Sequence, residues 1–392
     1  MKKPELLSPV GNFAMLEAAK QAGADSVYFG IKGLNMRNLG AKNFSLGDLR
    51  KIGKEEIKKY LTVNTIIYDN EIKKARKIIE SAYSNNIDAV IVWDLAALKL
   101  AKEIGIEAHI STQASVANSE AIKQYQKLGA KRFVLARELD LKQLKELKKK
   151  TNAELEVFIH GAMCVAFSGR CFMSQEIFGK SANRGECLQP CRREYIIKDV
   201  DREYELKLGN NYVLSPKDLC SIPFIERLMF LDAFKIEGRG RSPEYVKVVT
   251  SAYRRAIDAY YSNELDDKLK KELMKEVSGV YNRGFHSGFY FKVPGGEGFA
   301  GSYGSQATKK KIYIGKIINY YKKNNVLVLK VEAEKIKVGN TLLIIGNKTG
   351  VKEIKVKEIM KNNQAISEAK KGDIITMRSE VVRENDQVYL WE

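Results

Sequence analysis

Short apolar runs alternate with segments of helical spacing over residues 1–260. Several runs are rich in β-branched residues, as buried parallel strands are. Segments such as EAIKQYQKLGA and LKQLKELKKK have helical spacing and separate most of the runs. The pattern predicts strands within residues 6–9, 25–30, 60–65, 89–94, 107–112, 132–137, 155–160 and 233–238.

Repeated strand–helix units are typical of a closed barrel. An open doubly wound sheet is the competing architecture, but Gly11 stands alone after the first run and gives no dinucleotide fingerprint. We therefore predict an α/β protein whose residues 1–308 form a (β/α)8 TIM-like barrel.

A long insertion, residues 161–232, separates the seventh run from the eighth. A connection of this length in a compact domain is usually functional, and it contains all five cysteines of the chain. The segment REYELKLGNNYVL predicts a hairpin with its turn at Gly209, Asn210 and Asn211.

The pattern changes at Lys309. Stretches such as NVLVLKVEA, TLLIIGN and QVYLWE alternate apolar and polar positions with the period of a strand. Closely spaced short strands predict a small all-β barrel over residues 309–392, which could bind RNA or pack on the first domain.

The formal net charge is +19, from 67 basic and 48 acidic residues. Such a surplus favours a polyanionic partner, with nucleic acid first, although a Lys-rich thermophile composition gives the same excess. No signal peptide and no apolar run long enough to span a membrane is visible, so we expect a cytoplasmic protein without a membrane partner.

The cysteine spacing is the strongest local signal. Thiolates suit zinc or iron–sulfur clusters, and a reduced compartment favours ligation over disulfides. Zinc sites commonly contain CxxC pairs, which this chain lacks, so an iron–sulfur cluster is favoured over zinc and over unliganded thiols. The motif CxxxCxxC is also absent, which disfavours a radical-adenosylmethionine enzyme. The candidate ligands are Cys164, Cys171, Cys187 and Cys191.

Polar residues follow the predicted strands, where the active site of a barrel forms. Some of them, above all Ser8, Asp94 and Thr112, could instead cap helices. The set at the strand ends comprises Asn64, Asp94, Ser111, Thr112, Gln113, Arg137, Glu138, His160 and Glu237.

Several arginines accompany the cysteines, and guanidinium groups bind carboxylates and phosphates in pairs of hydrogen bonds. A small dicarboxylate or a polyanion could bind there, or the arginines could balance a negatively charged cluster. They are Arg170, Arg184, Arg192, Arg193, Arg239 and Arg241.

His160 directly precedes the cysteine loop. It could transfer protons, pair with Cys164 as a nucleophile, or hydrogen-bond only the loop backbone. The protease motifs HExxH and GxSxG are absent.

The segment EVFIHGAMCVAFSGRCFMSQEIFGKSANRGECLQPCRREY resembles the signature of peptidase family U32, the collagenase-like peptidases. The segments ELLSPVGN, STQASVAN, LSPKDLC, KIEGRGRSPEYV and NRGFHSGF agree with it. The resemblance covers nearly all of residues 1–310, and the tail resembles the family's C-terminal domain.

The resemblance implies oxygen-independent hydroxylation with a [4Fe-4S] cluster. Some members act on RNA, including the wobble uridine of transfer RNA with prephenate as a hydroxyl source; others act on a quinone precursor, and a few are described as proteases of collagen. Cys164, Cys171 and Cys187 match family ligand positions. The fourth position varies, so Cys191 is our choice and Cys220 the alternative.

The positive net charge and the C-terminal domain favour the members of the family that act on RNA. We expect hydroxylation of a tRNA nucleoside, with a U32-type peptidase and an RNA-binding protein with a structural metal as alternatives. His160, Glu237 and Arg239 are the expected catalytic residues, and Asn64, Gln113 and Arg137 the expected substrate-binding residues.

Overall fold

Eight parallel strands close into a barrel in the computed structural model, which describes residues 2–201, 205–206 and 212–392. The first strand pairs with the second, each later strand pairs with the next as far as the seventh, and the last barrel strand closes the ring by pairing with both the first and the seventh. The predicted TIM-like barrel is confirmed, and each predicted run overlaps one barrel strand. These strands are β1 (Glu5–Pro9), β2 (Ser26–Phe29), β3 (Lys58–Val63), β4 (Ala89–Val92), β5 (Glu107–Ile110), β6 (Ala130–Val134) and β7 (Glu154–Gly161), followed by β8 (Ile197–Lys198), β9 (Glu205–Leu206) and β10 (Asp218–Cys220) in the insertion and by β11 (Ala233–Ile236).

Helices follow most of the barrel strands, and side-chain caps fix where several begin. The side chains of Asn12, Asp94, Asn118 and Asp140 each accept a backbone N–H of the first turn, which satisfies a donor that has no partner within the helix. The helices are α1 (Phe13–Gln21), α2 (Leu49–Ile52), α3 (Ile72–Ser84), α4 (Leu95–Ile104), α5 (Ser119–Lys127), α6 (Leu141–Lys149), α7 (Met173–Phe178), α8 (Pro243–Tyr261) and α9 (Asp267–Ser278).

Of the three predicted caps, only Asp94 has this role. Ser8 instead shares a hydrogen bond of 2.8 Å with Thr250 on α8. Thr112 donates to the Leu135 carbonyl at 3.2 Å. Both hydroxyls therefore join neighbouring elements of the barrel.

Charged side chains fill the lower half of the barrel interior. Arg132 donates to both carboxylate oxygens of Glu5, at 2.8 and 3.0 Å, and Lys235 lies 2.7 Å from Glu156. Buried charges need such partners because removal from water is costly. This network forms the floor beneath the carboxyl ends of the strands.

The C-terminal part is antiparallel and all-β, as predicted. Its main sheet has eight strands, each antiparallel to its neighbours. Its apolar core includes Ile314, Leu329 and Ile375. Strand β12 (Phe285–His286) belongs to the barrel sheet, where it pairs in parallel with β10. The strands of the C-terminal part are β13 (Lys311–Tyr321), β14 (Val326–Val331), β15 (Ile336–Lys337), β16 (Thr341–Gly346), β17 (Gly350–Lys355), β18 (Ile359–Lys361), β19 (Gln364–Ile366), β20 (Glu368–Ala369), β21 (Ile374–Arg378) and β22 (Gln387–Trp391). The order of its main sheet is β17-β16-β22-β13-β14-β21-β18-β19.

This β region packs on α1 and α8 of the barrel. Gln21 donates to the Thr349 carbonyl at 2.8 Å, and Lys311 lies 2.8 Å from Glu244. The division at residue 308 stays a prediction, and the predicted hairpin turn at Gly209 to Asn211 lies outside the described residues. No helix in the described ranges is long and apolar enough to cross a membrane.

Candidate functional site

A cavity of about 150 Å³ lies above the barrel floor, where the strand ends meet the insertion. We call it the cysteine cavity. Its walls come from the barrel strands, from the loop after β2 and from residues 162–192 after β7, which we call the cysteine loop. The sequence-predicted residues that line it are Asn64, Ser111, Thr112, Gln113, Arg137, Cys164, Cys171, Cys187, Cys191, Arg192, Glu237 and Arg239.

Four cysteine side chains share this cavity, and none of them forms a disulfide. Cys164 is exposed, whereas Cys171, Cys187 and Cys191 are half-buried. Burial raises the pKa of the Cys187 and Cys191 thiols above the usual value. A cation beside them, or a bound metal centre, is what would favour their thiolate forms.

Close packing between two loops holds the cysteine loop in place. The Cys171 N–H donates to the Asn183 side chain at 2.9 Å. Gly185 has a φ of +81°, and a Cβ there would lie 2.0 Å from the Asn35 carbonyl oxygen. Only glycine tolerates this approach, so Gly185 lets the cysteine loop lie against the loop after β2.

The donor set fits a sulfur-ligated centre. Four unbridged thiols are soft ligands of the kind that zinc and iron–sulfur clusters take. Among the described residues, no group of three or more His, Cys, Asp or Glu side chains is placed to hold a single metal ion. The thiols thus share a cavity without forming a closed mononuclear site.

Cys220 lies away from the other cysteines. It is on β10, where its Sγ lies 3.6 Å from the Tyr253 hydroxyl and 3.5 Å from the Met274 sulfur. Burial raises its pKa to about 11. Cys191, not Cys220, therefore shares the cavity with the three other cysteines.

A carboxamide network lies on the wall formed by β3 and β5. The Asn64 Nδ2 donates to Ser111 Oγ at 3.1 Å and to Gln113 Oε1 at 3.3 Å. Ser111 also donates to Gln113 Oε1, and the Met36 N–H donates to Asn64 Oδ1 at 3.2 Å. Because Asn64 has partners at both ends, it positions Gln113 more than it offers free groups to a ligand.

Arg137 follows β6 and lies over an aromatic ring. Its guanidinium is 3.8 Å from the centre of the Phe158 ring, and it donates to the Ala162 carbonyl at 2.7 Å. Its buried Nε has no partner among the described residues. Among the described residues, no carboxylate accepts a hydrogen bond from Arg137.

Glu237 and Arg239 follow β11 and face the same cavity. Arg37, from the loop after β2, donates to Glu237 at 2.8 Å. Burial raises the pKa of Glu237, but the charges of Arg37, Arg241 and Arg137 outweigh it and lower the pKa to about 2.

Among the described residues, the hydrogen-bond partners of Arg239 are neutral: Thr62 Oγ1 at 3.1 Å and Asn35 Oδ1 at 2.9 Å. Burial lowers its pKa to about 10. The guanidinium is nevertheless charged at neutral pH, and its charge has no carboxylate in direct contact.

His160 does not face the cysteine cavity. The pairing of β7 with β11 shifts register between Lys235 and Ile236, so that one extra residue of β7 intervenes before His160. This bulge turns the side chain towards α8, where Nδ1 lies 3.3 Å from the Tyr253 hydroxyl. Burial lowers the pKa of His160 to about 3. The position gives no support to its expected catalytic role, and no histidine of the described chain lines the cavity.

The remaining predicted residues have mixed positions. Arg192 donates to the carbonyls of Met163 and Pro216 and fixes the cysteine loop. Arg184 pairs with Glu71, and Arg241 stacks on Tyr281. Asp94, Glu138, Arg170, Arg184, Arg193 and Arg241 do not line the cysteine cavity.

Sequence reasoning missed two cavity cations. Arg37 lies in a loop far from any strand end, and its charge interacts with Glu237, Cys164 and Cys187, which raises its pKa. Lys235 lies on β11 beneath the cavity, with its ammonium 4.4 Å from the Tyr28 ring centre. The sequence could have indicated Lys235, because it is the charged residue of the otherwise apolar strand AFKI. Nothing in the sequence indicated that Arg37 reaches the cavity.

Comparison with known proteins identifies similar chains. The model described as Peptidase family U32 matches residues 11–299. A collagenase of Porphyromonas gingivalis is 42% identical over 406 residues, which cover 99% of this chain and 98% of that protein. An uncharacterized protease of Methanocaldococcus jannaschii is 45% identical over 98% of both chains. The tRNA hydroxylation protein P1 of Bacillus subtilis is 34% identical over 84% of this chain and 80% of that protein.

Proposed function

Since the chain belongs to peptidase family U32, we propose that it hydroxylates a nucleoside of transfer RNA without molecular oxygen, with the wobble uridine as the target. An iron–sulfur cluster of the [4Fe-4S] type is bound by Cys164, Cys171, Cys187 and Cys191. The observation that carries the proposal is the convergence of these four free thiols on one cavity that also contains amide and guanidinium groups. A relative named for tRNA hydroxylation supports the choice of substrate.

The cysteine loop and Arg37 adapt the cavity to a cluster. A bound cluster supplies one-electron chemistry, with a potential that depends on charge and hydrogen bonds around its sulfurs. Arg37 places positive charge near Cys164 and Cys187, and this charge opposes the effect of burial on the pKa of Cys187. The Gln189 N–H donates to Cys187 Sγ at 3.4 Å and stabilises the thiolate form.

The carboxamide network of Asn64, Ser111 and Gln113 suits a pyrimidine base. Gln113 accepts hydrogen bonds from Asn64 and Ser111 at its oxygen, and its Nε2 has no partner in the hydrogen bonds of the described residues. Gln113 lines the cavity, and its amide NH2 group can donate to a carbonyl oxygen of uracil. Asn64 and Ser111 orient the amide for this contact.

The guanidinium groups of Arg137 and Arg239 suit a small anionic hydroxyl donor. Glu237 is paired with Arg37, and Lys235 with Glu156. Arg137 and Arg239 have no carboxylate partner in their hydrogen bonds. Two guanidinium groups in one cavity, neither hydrogen-bonded to a carboxylate of the described residues, are complementary to a dicarboxylate, and prephenate is the candidate from the family resemblance.

A peptidase is the second candidate, because the collagenase and the uncharacterized protease are 42% and 45% identical to this chain. A cysteine peptidase needs a base within hydrogen-bond reach of its nucleophile. Of the described histidines none lines the cavity, and His160 is turned towards Tyr253. The positions of these groups favour hydroxylation over peptide cleavage.

Nucleoside mass spectrometry of transfer RNA tests the proposal. We expect a strain that lacks the gene to lose one hydroxylated nucleoside, and a plasmid copy of the gene to restore it. A copy with Cys171→Ser should not restore it, whereas Cys220→Ser, outside the cavity, should. Unchanged RNA in the deletion strain would contradict hydroxylation and leave RNA binding with a structural metal.

The peptidase is tested with gelatin. Anaerobically purified protein is incubated with gelatin and, separately, with transfer RNA from the deletion strain. Cleavage of gelatin that persists through purification and is lost in Cys164→Ser, together with unmodified RNA, would establish the peptidase instead.

A further inference from the structure

A second cavity, of about 260 Å³, lies beside the cysteine cavity. We call it the lateral cavity. Residues 163–168 line both cavities, as do Thr112 and Arg137. The segment that carries Cys164 is therefore a wall with a cavity on each side.

The lateral cavity combines aromatic, cationic and hydroxyl groups. Phe167 and Phe289 contribute rings, Arg170 a guanidinium, and Ser115 and Thr112 hydroxyls. Arg170 is anchored on one side by a bond of 3.1 Å from its Nη2 to the Gln113 carbonyl. It also lies 5.6 Å from the centre of the Trp93 ring. Rings for stacking, with an arginine for phosphate, are the chemistry with which proteins bind unpaired nucleotides.

Phe167 is unusually open for a large apolar side chain, with 57% of its surface exposed at the boundary of the two cavities. Exposed apolar surface at the mouth of a site indicates a binding contact. Its neighbour along the loop, Phe172, is 74% exposed. Phe167 thus presents aromatic surface where the two cavities meet, and Phe172 adds exposed aromatic surface on the same loop.

We propose that the lateral cavity binds the nucleotide adjacent to the modified one, with its base stacked on Phe167 and its phosphate near Arg170. The inference rests on the proposed function, since it takes the substrate to be RNA. A base can reach the cysteine cavity only after it leaves its stack, and its neighbour then loses a stacking partner. Phe167 replaces that partner, and the shared wall sets the two bases on either side of Cys164.

The chain's charge favours RNA over a protein as the occupant. The net charge of +19 attracts a polyanion over the whole surface, and the lateral cavity adds Arg137 and Arg170 against the single carboxylate of Glu138. A small hydroxyl donor in the lateral cavity is the competing occupant, and the experiment separates it.

The probe is a synthetic RNA hairpin that carries the wobble uridine in its loop and 2-aminopurine at the next position. Binding to full-length, anaerobically purified protein is followed by 2-aminopurine fluorescence, which stacking quenches. We expect quenching with the unaltered protein. Phe167→Ala should abolish the quenching and raise Kd by about tenfold, the usual scale for removal of one base–aromatic stack. Phe167→Tyr should restore both.

Tyr83→Ala is the matched control, because Tyr83 is 55% exposed on α3 and lines neither cavity. It should leave Kd and fluorescence unchanged. The visible spectrum checks that each variant contains its iron–sulfur cluster, and thermal unfolding checks that it is folded.

Three outcomes overturn the inference. Unchanged Kd and fluorescence in Phe167→Ala, with RNA still modified, would overturn it and leave the proposed function intact. If Phe167→Ala changes the KM for the hydroxyl donor but leaves RNA binding unchanged, the lateral cavity is the site of that donor. If the unaltered protein neither binds nor modifies the hairpin, the proposed function fails and the inference with it.

Discussion

Arg37 and Glu237 form an ion pair of 2.8 Å that joins the loop after β2 to the end of β11. Since the pKa of Glu237 is lowered to about 2, its carboxylate is ionised at any physiological pH. Glu237 therefore acts by holding Arg37 near the cysteines, and it is a poor candidate for proton transfer.

We expect Glu237→Gln to lower the free energy of unfolding at neutral pH by about 2 kcal/mol. This is less than the effect for a fully buried pair, because Arg37 keeps some contact with solvent. The pKa of Glu237 lies below its ordinary value of 4.5, so its stabilising effect is present above that pH and is lost as the pH falls towards about 2.

Urea unfolding of the unaltered protein and of Glu237→Gln, at a series of pH values, checks this prediction. The difference between the two should be constant from neutral pH to about 5 and should shrink at lower pH. A difference that does not depend on pH would contradict the assigned role of the pair.

The cysteine substitutions form a second prediction. Purified without oxygen, the protein should be brown and contain about four iron and four sulfide per chain, as a [4Fe-4S] cluster requires. Cys171→Ser should be nearly colourless, because serine is a harder ligand. Cys220→Ser should keep the colour, since Cys220 lies beside Tyr253 on β10. Loss of colour only with Cys220→Ser, or protein with zinc alone, would contradict the ligand set.

The barrel could be predicted from the sequence because most of the parallel strands contain a short apolar run, and this signal is local. The set of cavity residues at strand ends, including Asn64 and Gln113, follows from the same rule about barrels. His160 shows the limit of the rule. Its direction depends on a bulge, and the bulge depends on how β7 pairs with β11, 70 or more residues further along the chain.

Arg37 shows a second limit. It reaches the cavity from a loop whose residues have no strand or helix pattern, and its role depends on the approach of the cysteine loop at Gly185. Such loop-to-loop packing is set by contacts that are distant in sequence. The hydrophobic pattern of a single chain contains no information on it.

The position of His160 leads to a third prediction. His160→Gln should keep nucleoside modification within about threefold of the unaltered protein, because the side chain does not reach the cavity. His160→Ala should lower the free energy of unfolding by about 2–4 kcal/mol through the space left among Tyr245, Tyr253 and Phe285. Loss of modification in a stable, coloured His160→Gln protein would restore the catalytic role.

The same histidine affects stability at acid pH. Its pKa falls from 6.5 to about 3 on folding, so the unfolded chain binds a proton that the native chain does not. Stability is therefore complete above pH 6.5 and falls as the pH drops from there towards about 3. His160→Gln should remove this dependence, which unfolding experiments at pH 7 and 5 measure.

Arg239 carries the fourth prediction. Its charge faces the cavity without a carboxylate in contact, so Arg239→Gln should raise the KM for an anionic hydroxyl donor by about tenfold or more. The cluster colour should persist, because Arg239 is not a ligand. Arg254→Gln is the control, since Arg254 pairs with Asp25 and Asp258 on the outside of the barrel. Steady-state kinetics with varied donor measure the effect, and an unchanged KM would place the donor elsewhere.

The last prediction concerns the lysines at the start of the C-terminal β region. Affinity for transfer RNA should fall steeply with salt, because binding releases counterions from the phosphates. Lys309 and Lys310 are exposed beside β13, next to Lys311, which is engaged with Glu244. Replacement of Lys309 and Lys310 with Gln should reduce the slope of log Kd against log salt by about one for each phosphate that the variant no longer binds.

Because truncation would uncover core residues such as Ile345 and Trp391, which pack with the barrel, substitution is a cleaner test than deletion of residues 309–392. Lys99→Gln, an exposed lysine on α4, is the control and should leave the slope unchanged. Equal slopes for both variants and the unaltered protein would mean that the positive charge of this segment does not contact RNA.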